Sequence, residues 1–326
     1  MPSASKYKMV KQNFSSDSPK SKTNCFSLEQ SRLGVLGGSG LYSMNSIKNI
    51  KELDIETPYG KPSDKLRIGE LGGMEVVFLA RHGRNHTIPP SDIPYKANIW
   101  ALRSLDVRWI LSPSAVGSLK EQIRPLDIVI PDQFIDRTHQ RPITFFCEGV
   151  VAHVSMANPF CSDLSKLVSE EAEKIIPEGQ QIHRGGIYLA MEGPAFSTRA
   201  ESLLYRSWGC AVIGMTNHTE ARLAREAEIA YASISMVTDY DCWHENHEKV
   251  TVAMVIDNLK ANALVGEKIV ERTAKKLSSI RLISSAHSAL KSGLVTDKQK
   301  VPKCTRNKID IFTKPYWGSF EENDPQ

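Results

Sequence analysis

The sequence contains no C-x-x-C pair. Its six cysteines (Cys25, Cys147, Cys161, Cys210, Cys242 and Cys304) are scattered along 326 residues. That spacing argues against a zinc cluster or a thioredoxin-like motif and points to reduced thiols in an intracellular protein. No apolar run approaches the ~20 residues a membrane helix needs, and no apolar signal segment opens the chain. Excess charge is also missing. The formal net charge is only +4, with lysines clustered towards both ends. So weak a balance gives no ground for a nucleic-acid or membrane surface. At 41% hydrophobic content the chain has enough apolar material for one large domain or two small ones.

Residues 1–31 are rich in Ser and Lys, poor in periodic apolar positions, and read as a disordered extension. They hold lysines but no arginine, a poor match to a mitochondrial presequence. A folded domain is expected over 32–285, with a C-terminal helix or tail over 286–326.

What stands out is Gly34 to Leu41, an apolar strand running into Gly-Gly-Ser-Gly-Leu. Glycines allow a tight turn and close approach of backbone N–H groups. Such a turn makes an anion-binding concavity, to which Ser39 adds a hydroxyl; a ligand-free strand-to-helix turn is the plainer alternative. The loop is not a nucleotide P-loop, because no Gly-Lys-Ser/Thr follows. It is not a dinucleotide fingerprint either, because Ser43 stands where the third glycine belongs.

Further along, Leu66–Ile68 and Val76–Leu79 flank Gly72-Gly73 and read as a hairpin. The second strand ends in Arg81-His82-Gly83-Arg84-Asn85-His86, where a planar guanidinium suits phosphate oxygens. Ile93 to Leu105 shows helical spacing. Val107–Leu111 reads as a strand feeding a small-residue loop over Ser112 to Ser118. Ile128–Ile130 is a buried-type strand, and Asp132 to Arg141 looks turn-like. His153 lies in an apolar run, Val150 to Val154, read as a strand in which a histidine is structural on spacing alone. Leu164–Ile176 is an amphipathic helix. Gly186–Met191 is a strand leading to Glu192–Arg199, where Phe196 and Ser197 sit in a loop. Ala211–Ile213 is a strand ending in Gly214-Met215-Thr216-Asn217, followed by a helix over Glu220–Ala227. Ile229–Val237 is a strand ending in Thr238-Asp239-Tyr240-Asp241. Val252–Val265 and Glu267–Leu277 read as two helices.

Short apolar strands alternating with helices predict an α/β domain with a largely buried sheet. The chemically unusual residues Ser39, Arg81, Ser114, Thr216 and Asp239 follow strand ends, where ligands of open α/β sheets gather. Hydroxyls and Arg81 fit a phosphate, with Asp239 and Asp241 on another side and Phe196 between. A metal at Asp239 and Asp241 lacks a His or Cys ligand set, so none is expected.

From about Leu33 to Ala263 the chain resembles methylthioadenosine phosphorylases of the purine nucleoside phosphorylase superfamily. The resemblance is carried by GGSGL from Gly37, TPYGKPSD from Thr57, ARHGRNH from Ala80, NIWAL from Asn98 and DQFIDRT from Asp132. It continues with MEGPAFSTRAES from Met191, GMTNHTEARLAREAEI from Gly214 and VTDYDCWH from Val237. The resemblance implies a twisted mixed sheet flanked by helices, usually in a homotrimer. It implies phosphorolysis of methylthioadenosine to adenine and methylthioribose-1-phosphate, with inorganic phosphate as co-substrate and no cofactor. Ser39, Arg81, His82, Ser114, Ala115 and Thr216 would contact phosphate. Met215 would cover the ribose, Phe196 would stack near the base, and Asp239 and Asp241 would act on the purine. His153 would reach a neighbouring subunit's site. Val252, Val255 and Ile256 would line the apolar pocket for the methylthio group, and Ser197 would influence substrate choice. The partners would be a small nucleoside and phosphate, in the cytoplasm, with neither nucleic acid nor membrane.

The sequence departs from the family pattern at Ser39, where many relatives have Thr, and at Gly214, where the animal enzymes have Asn. A purine nucleoside phosphorylase acting on adenosine, inosine or methylthioinosine stays open as an alternative. So does a catalytically silent purine-binding scaffold, although Arg81, Thr216 and Asp239 are all present.

Overall fold

The computed structural model describes residues 31–38, 41, 44, 46–244 and 252–320, with backbone only for 252–256. A mixed sheet of 11 strands forms its centre. Strand β1 (Arg32–Gly37) lies parallel to β4 (Met74–Ala80) on one side and to β5 (Val107–Ser118) on the other. An antiparallel edge, β2 (Lys48–Leu53) on β3 (Leu66–Leu71) on β4, extends the sheet one way. Gly72 and Gly73, both at positive φ, make the β3–β4 turn. In the other direction β5 also pairs in parallel with β11 (Ala230–Asp239). Its last residues turn antiparallel to β10 (Val212–Gly214), which continues in parallel to β9 (Ile187–Met191) and β7 (Gln133–Arg137). Strand β6 (Ile128–Ile130) joins β11 to β8 (Ile182–Arg184).

Side chains of a strand alternate between faces, and here both faces are covered. Leu33, Val35, Val76 and Phe78 pack with α2 (Ser162–Glu173) and α5 (Val252–Leu277). Leu36, Val77 and Leu79 pack against α1 (Tyr95–Ser104), α4 (Asn217–Glu226) and α6 (Lys303–Trp317). The short α3 (Arg199–Ser207) opens with a capping box between Thr198 and Glu201. The expected α/β class with a mixed sheet and flanking helices is what the chain forms.

Four local expectations are corrected. Ser112 to Ser118 is no loop: it is the second half of β5, because β11 and then β10 pair with it. Tertiary pairing outweighs the weak strand preference of its small residues. Asp132 to Arg141 contains β7, held by pairing with β9. Val150 to Val154 is no strand, since its ladder is limited to one bridge, Ala152 to Leu294. The two expected helices after Val252 are one, α5. Gly266, between the two expected helices, lets that one helix approach β11; a Cβ there would lie 2.8 Å from Met236 Sδ. Lys303–Trp317, within the expected C-terminal helix or tail, is helical. Tyr316 from that helix donates to Glu228.

Candidate active site

A cavity of about 630 Å³ opens at the strand ends. Arg81, His82, Ser114, Ala115, Met215, Thr216, Phe196, Asp239 and Asp241 all line it. Residues as far apart in sequence as Arg81 and Asp241 meet there because β4, β5, β10 and β11 deliver them to one place.

Arg81 sits one residue past β4 and is 1% exposed. Its Nε donates to Glu220 Oε1 at 2.6 Å, and its Nη2 to Leu36 O at 2.8 Å and Glu220 Oε2 at 3.3 Å. Ser112 Oγ also accepts from Nη2. Nη1 gives one bond to Pro113 O at 3.1 Å. Burial alone would lower the guanidinium's pKa; the Glu220 carboxylate more than offsets that and holds it above the ordinary value. Glu220 is itself fixed by Ser112 and Tyr231, each donating to Oε2 at 2.7 Å. The glycine turn closes over this group: a Cβ at Gly38 would lie 2.3 Å from Arg81 Nη1. Ser39 itself lies outside the described residues.

His82 lies beside Arg81, its ring stacked on His86 with centroids 4.4 Å apart. His82 Nδ1 is 2.8 Å from Ile88 O. Burial, reinforced by the charge of Arg81, pushes the imidazole down to about 3.

Thr216 stands at the start of α4, whose first-turn N–H groups favour an anion. Its backbone N–H points to Tyr188 Oη at 3.4 Å. Tyr188, fully buried on β9, props the Gly214–Thr216 turn from beneath. A Cβ at Gly214 would lie 2.1 Å from Tyr188 Oη, so glycine is required by close approach. Met215 is fixed from both sides: its carbonyl accepts from Arg141 Nη1 at 2.9 Å, and Gly193 approaches its sulfur. Arg141 also pairs with Glu192 at 2.8 Å.

The carboxyl pair occupies the end of β11. The register against β5 shifts between Val237 and Asp239, a bulge that re-aims the last side chain. Asp239 lies opposite Gly117, where an added Cβ would be 3.0 Å from Oδ1. Thr238 Oγ1 donates to Asp239 Oδ2 at 2.6 Å and the Asp241 N–H to Oδ1 at 2.7 Å. Burial raises the Asp239 pKa, and these two bonds only partly oppose it. Asp241 takes a left-handed backbone, φ 52°. Its Oδ2 is buried with no hydrogen-bond partner among the described residues. Burial pushes this carboxyl up to about 6, and the neighbouring Asp239 charge adds to the push. From α5, Asn258 and Asn262 donate to the carbonyls of Thr238 and Val237, tying the strand end down.

The remaining expected residues are placed differently. Phe196 is 52% exposed at the cavity mouth. Ser197 stands behind the wall, with Oγ 3.6 Å from Met191 Sδ. The side chains of Val252, Val255 and Ile256 lie outside the described residues; Leu259, one turn further along α5, lines the cavity. His153 lines a separate, polar cavity with Arg225 and Ser284. Among the described residues no cluster of three metal-ligating side chains occurs, and no helix is long and apolar enough to cross a membrane.

Sequence reasoning missed Glu220, Ser112, Tyr188 and Arg141. Their only signal is that Glu220 falls inside one of the family-like stretches. Nothing in spacing says that a helix carboxylate will meet a strand-end arginine.

The strand-end cavity thus joins buried Arg81 with buried Asp239 and half-buried Asp241. The phosphorylase superfamily profile matches residues 32–275, and the chain belongs to that superfamily. It is 69% identical to an S-methyl-5'-thioadenosine phosphorylase of Prochlorococcus marinus, over 96% of this chain and 100% of the relative. A methylthioadenosine phosphorylase from an antarctic soil metagenome superimposes with TM-score 0.83 at 46% identity, covering 87% of this chain and 99% of the other. The Schistosoma mansoni methylthioadenosine phosphorylase in complex with adenine matches with TM-score 0.73 at 34% identity, covering 77% and 93%.

Proposed function

We propose that the protein is an S-methyl-5'-thioadenosine phosphorylase that cleaves methylthioadenosine with inorganic phosphate, giving adenine and methylthioribose-1-phosphate. The carrying observation is that buried Asp239 and half-buried Asp241 line one cavity with Arg81 and the Thr216 turn. Cleavage builds positive charge on the ribose and negative charge on the departing purine. Phosphate held by Ser39, Arg81, His82, Ser114, Ala115 and Thr216 stabilises the first. Asp239, whose pKa burial raises, donates a hydrogen bond or proton towards N7 and stabilises the second. Asp241 accepts from the 6-amino group, which selects adenine over 6-oxo purines. Met215 covers the ribose and Phe196 stacks on the base from the mouth. Val252, Val255 and Ile256 line the methylthio pocket, and Ser197 influences substrate choice.

The reaction needs no resident cofactor or metal. It would serve purine and methionine salvage in the cytoplasm. In a homotrimer His153 would complete a neighbouring subunit's site, which accords with its distance from this chain's own cavity.

The test is release of free base from methylthioadenosine, adenosine and inosine, each with and without phosphate. Phosphate-dependent adenine release, fastest from methylthioadenosine, is the expected outcome. Faster inosine cleavage would point to the alternative specificity. No cleavage of any of the three would leave a silent scaffold.

A further inference from the structure

His82 offers the cavity a hydrogen-bond acceptor where an anion site ordinarily presents donors. Its Nδ1 is 2.8 Å from Ile88 O. A carbonyl only accepts, so Nδ1 carries the ring's proton and Nε2 is left with a bare lone pair. Nε2 bonds to no described residue, and His82 lines the cavity. The groups whose charges bear on the ring are Arg81, His86 and Arg141, all of which disfavour a second ring proton. Arg81 is bound to Glu220, and Arg141 to Glu192. None of these charges favours the imidazolium, which agrees with a pKa depressed to about 3.

An unprotonated oxyanion oxygen set against Nε2 would bring two acceptors together, and neither would be satisfied. Hydrogen phosphate avoids this because one of its four oxygens carries a proton. We infer that His82 accepts a hydrogen bond from the P–OH of the co-substrate, so that the site takes orthophosphate and arsenate in preference to tetrahedral anions without a hydroxyl. This rests on the phosphate site proposed above. The contact also fixes the anion's orientation. With the hydroxyl committed to His82, the three bare oxygens face Arg81, the hydroxyls and the sugar. The attacking oxygen therefore needs no deprotonation. No other side chain of the described cavity wall is restricted to accepting in this way on the phosphate side.

Competition at pH 8 tests the inference with four probes: phosphate, arsenate, sulfate and monofluorophosphate. The last has the charge and size of hydrogen phosphate but no hydroxyl at that pH. Arsenate is expected to support turnover with a KM near that of phosphate. Sulfate and fluorophosphate are expected to compete at least roughly tenfold more weakly. In His82→Gln, whose amide can donate as well as accept, that gap should shrink towards unity even if turnover falls. Sulfate inhibition of the unaltered enzyme should stay weak from pH 8 down to pH 5, because His82 gains its second proton only near 3. Nitrogen NMR of the unaltered protein should show His82 Nε2 unprotonated at pH 7, a readout that survives if the variant does not fold. Equal affinity for all four anions would overturn the inference, as would a gap unchanged in the variant or a protonated Nε2. Loss of the underlying phosphate reading would look different: base release would not depend on phosphate at all.

Discussion

Glu220 grips Arg81 from behind, its two oxygens 2.6 Å from Nε and 3.3 Å from Nη2. The pair is 2% and 1% exposed, so neither charge is solvated and each depends on the other. Glu220→Gln removes the negative charge and leaves a buried cation. The expected cost is about 3–5 kcal/mol of stability, read as a lowered midpoint in chemical denaturation. Arg81→Ala should raise the phosphate KM by at least roughly tenfold. An unaltered phosphate KM would remove Arg81 from the anion site.

Asp239→Asn keeps shape and loses the acid. Activity on methylthioadenosine should fall by ~10²–10⁴, with preference moving towards 6-oxo nucleosides. Steady-state kinetics on methylthioadenosine and inosine check this. Unchanged values on both would exclude Asp239 from the mechanism.

Asp241 gives a pH signature with a definite sign. Its carboxyl titrates at about 6 in the fold against 3.8 as a free side chain. A folded pKa above the unfolded one means that the fold holds the proton longer. The associated stability is therefore fully present below the unfolded value and lost as pH rises through about 6. Asp241→Asn should raise stability at pH 8 by up to about 3 kcal/mol, and the gain should vanish below pH 4. Thermal melts across that range decide it, and a gain that persists at low pH would contradict the assignment. The same variant should lose activity on methylthioadenosine.

Gly214 and Tyr188 are coupled by contact. Gly214→Ala should destabilise by about 1–3 kcal/mol through overpacking and raise KM by displacing Met215 and Thr216. Tyr188→Phe removes the atom in closest conflict, so the double variant should recover part of the loss. Additive effects of the two changes in a double-mutant cycle would argue against the contact.

Much of this was legible in the sequence because the residues concerned end apolar runs. Arg81 follows Val76–Ala80, Thr216 follows Val212–Gly214, and Asp239 ends the buried run from Ala230. Strand-end chemistry is a local signal. Ser114 was harder to place: its small-residue surroundings suggest a loop, and only pairing with β11 makes them strand. Glu220 and Tyr188 were not legible, because their importance lies in what they touch across the sheet. The edge strand β2 has no buried apolar face to announce it, being exposed at nearly every position. The apolar run around His153 misleads for a different reason: only Val150 of it is buried, Val151 is 44% exposed, and one bridge stands in place of a partner strand.

The sheet order has a consequence for how the protein reaches working form. Arg81 comes from one side of β5 and Thr216 from the other, while Asp239 rides on a strand added late in the chain. Arg81 and Asp239 lie far apart in sequence and come together only through β11 docking beside β5, so a chain truncated before β11 lacks the carboxyl side of the cavity. Ligand binding is thus a report on completed assembly, and recovery of turnover after dilution from denaturant should lag behind the return of helical signal.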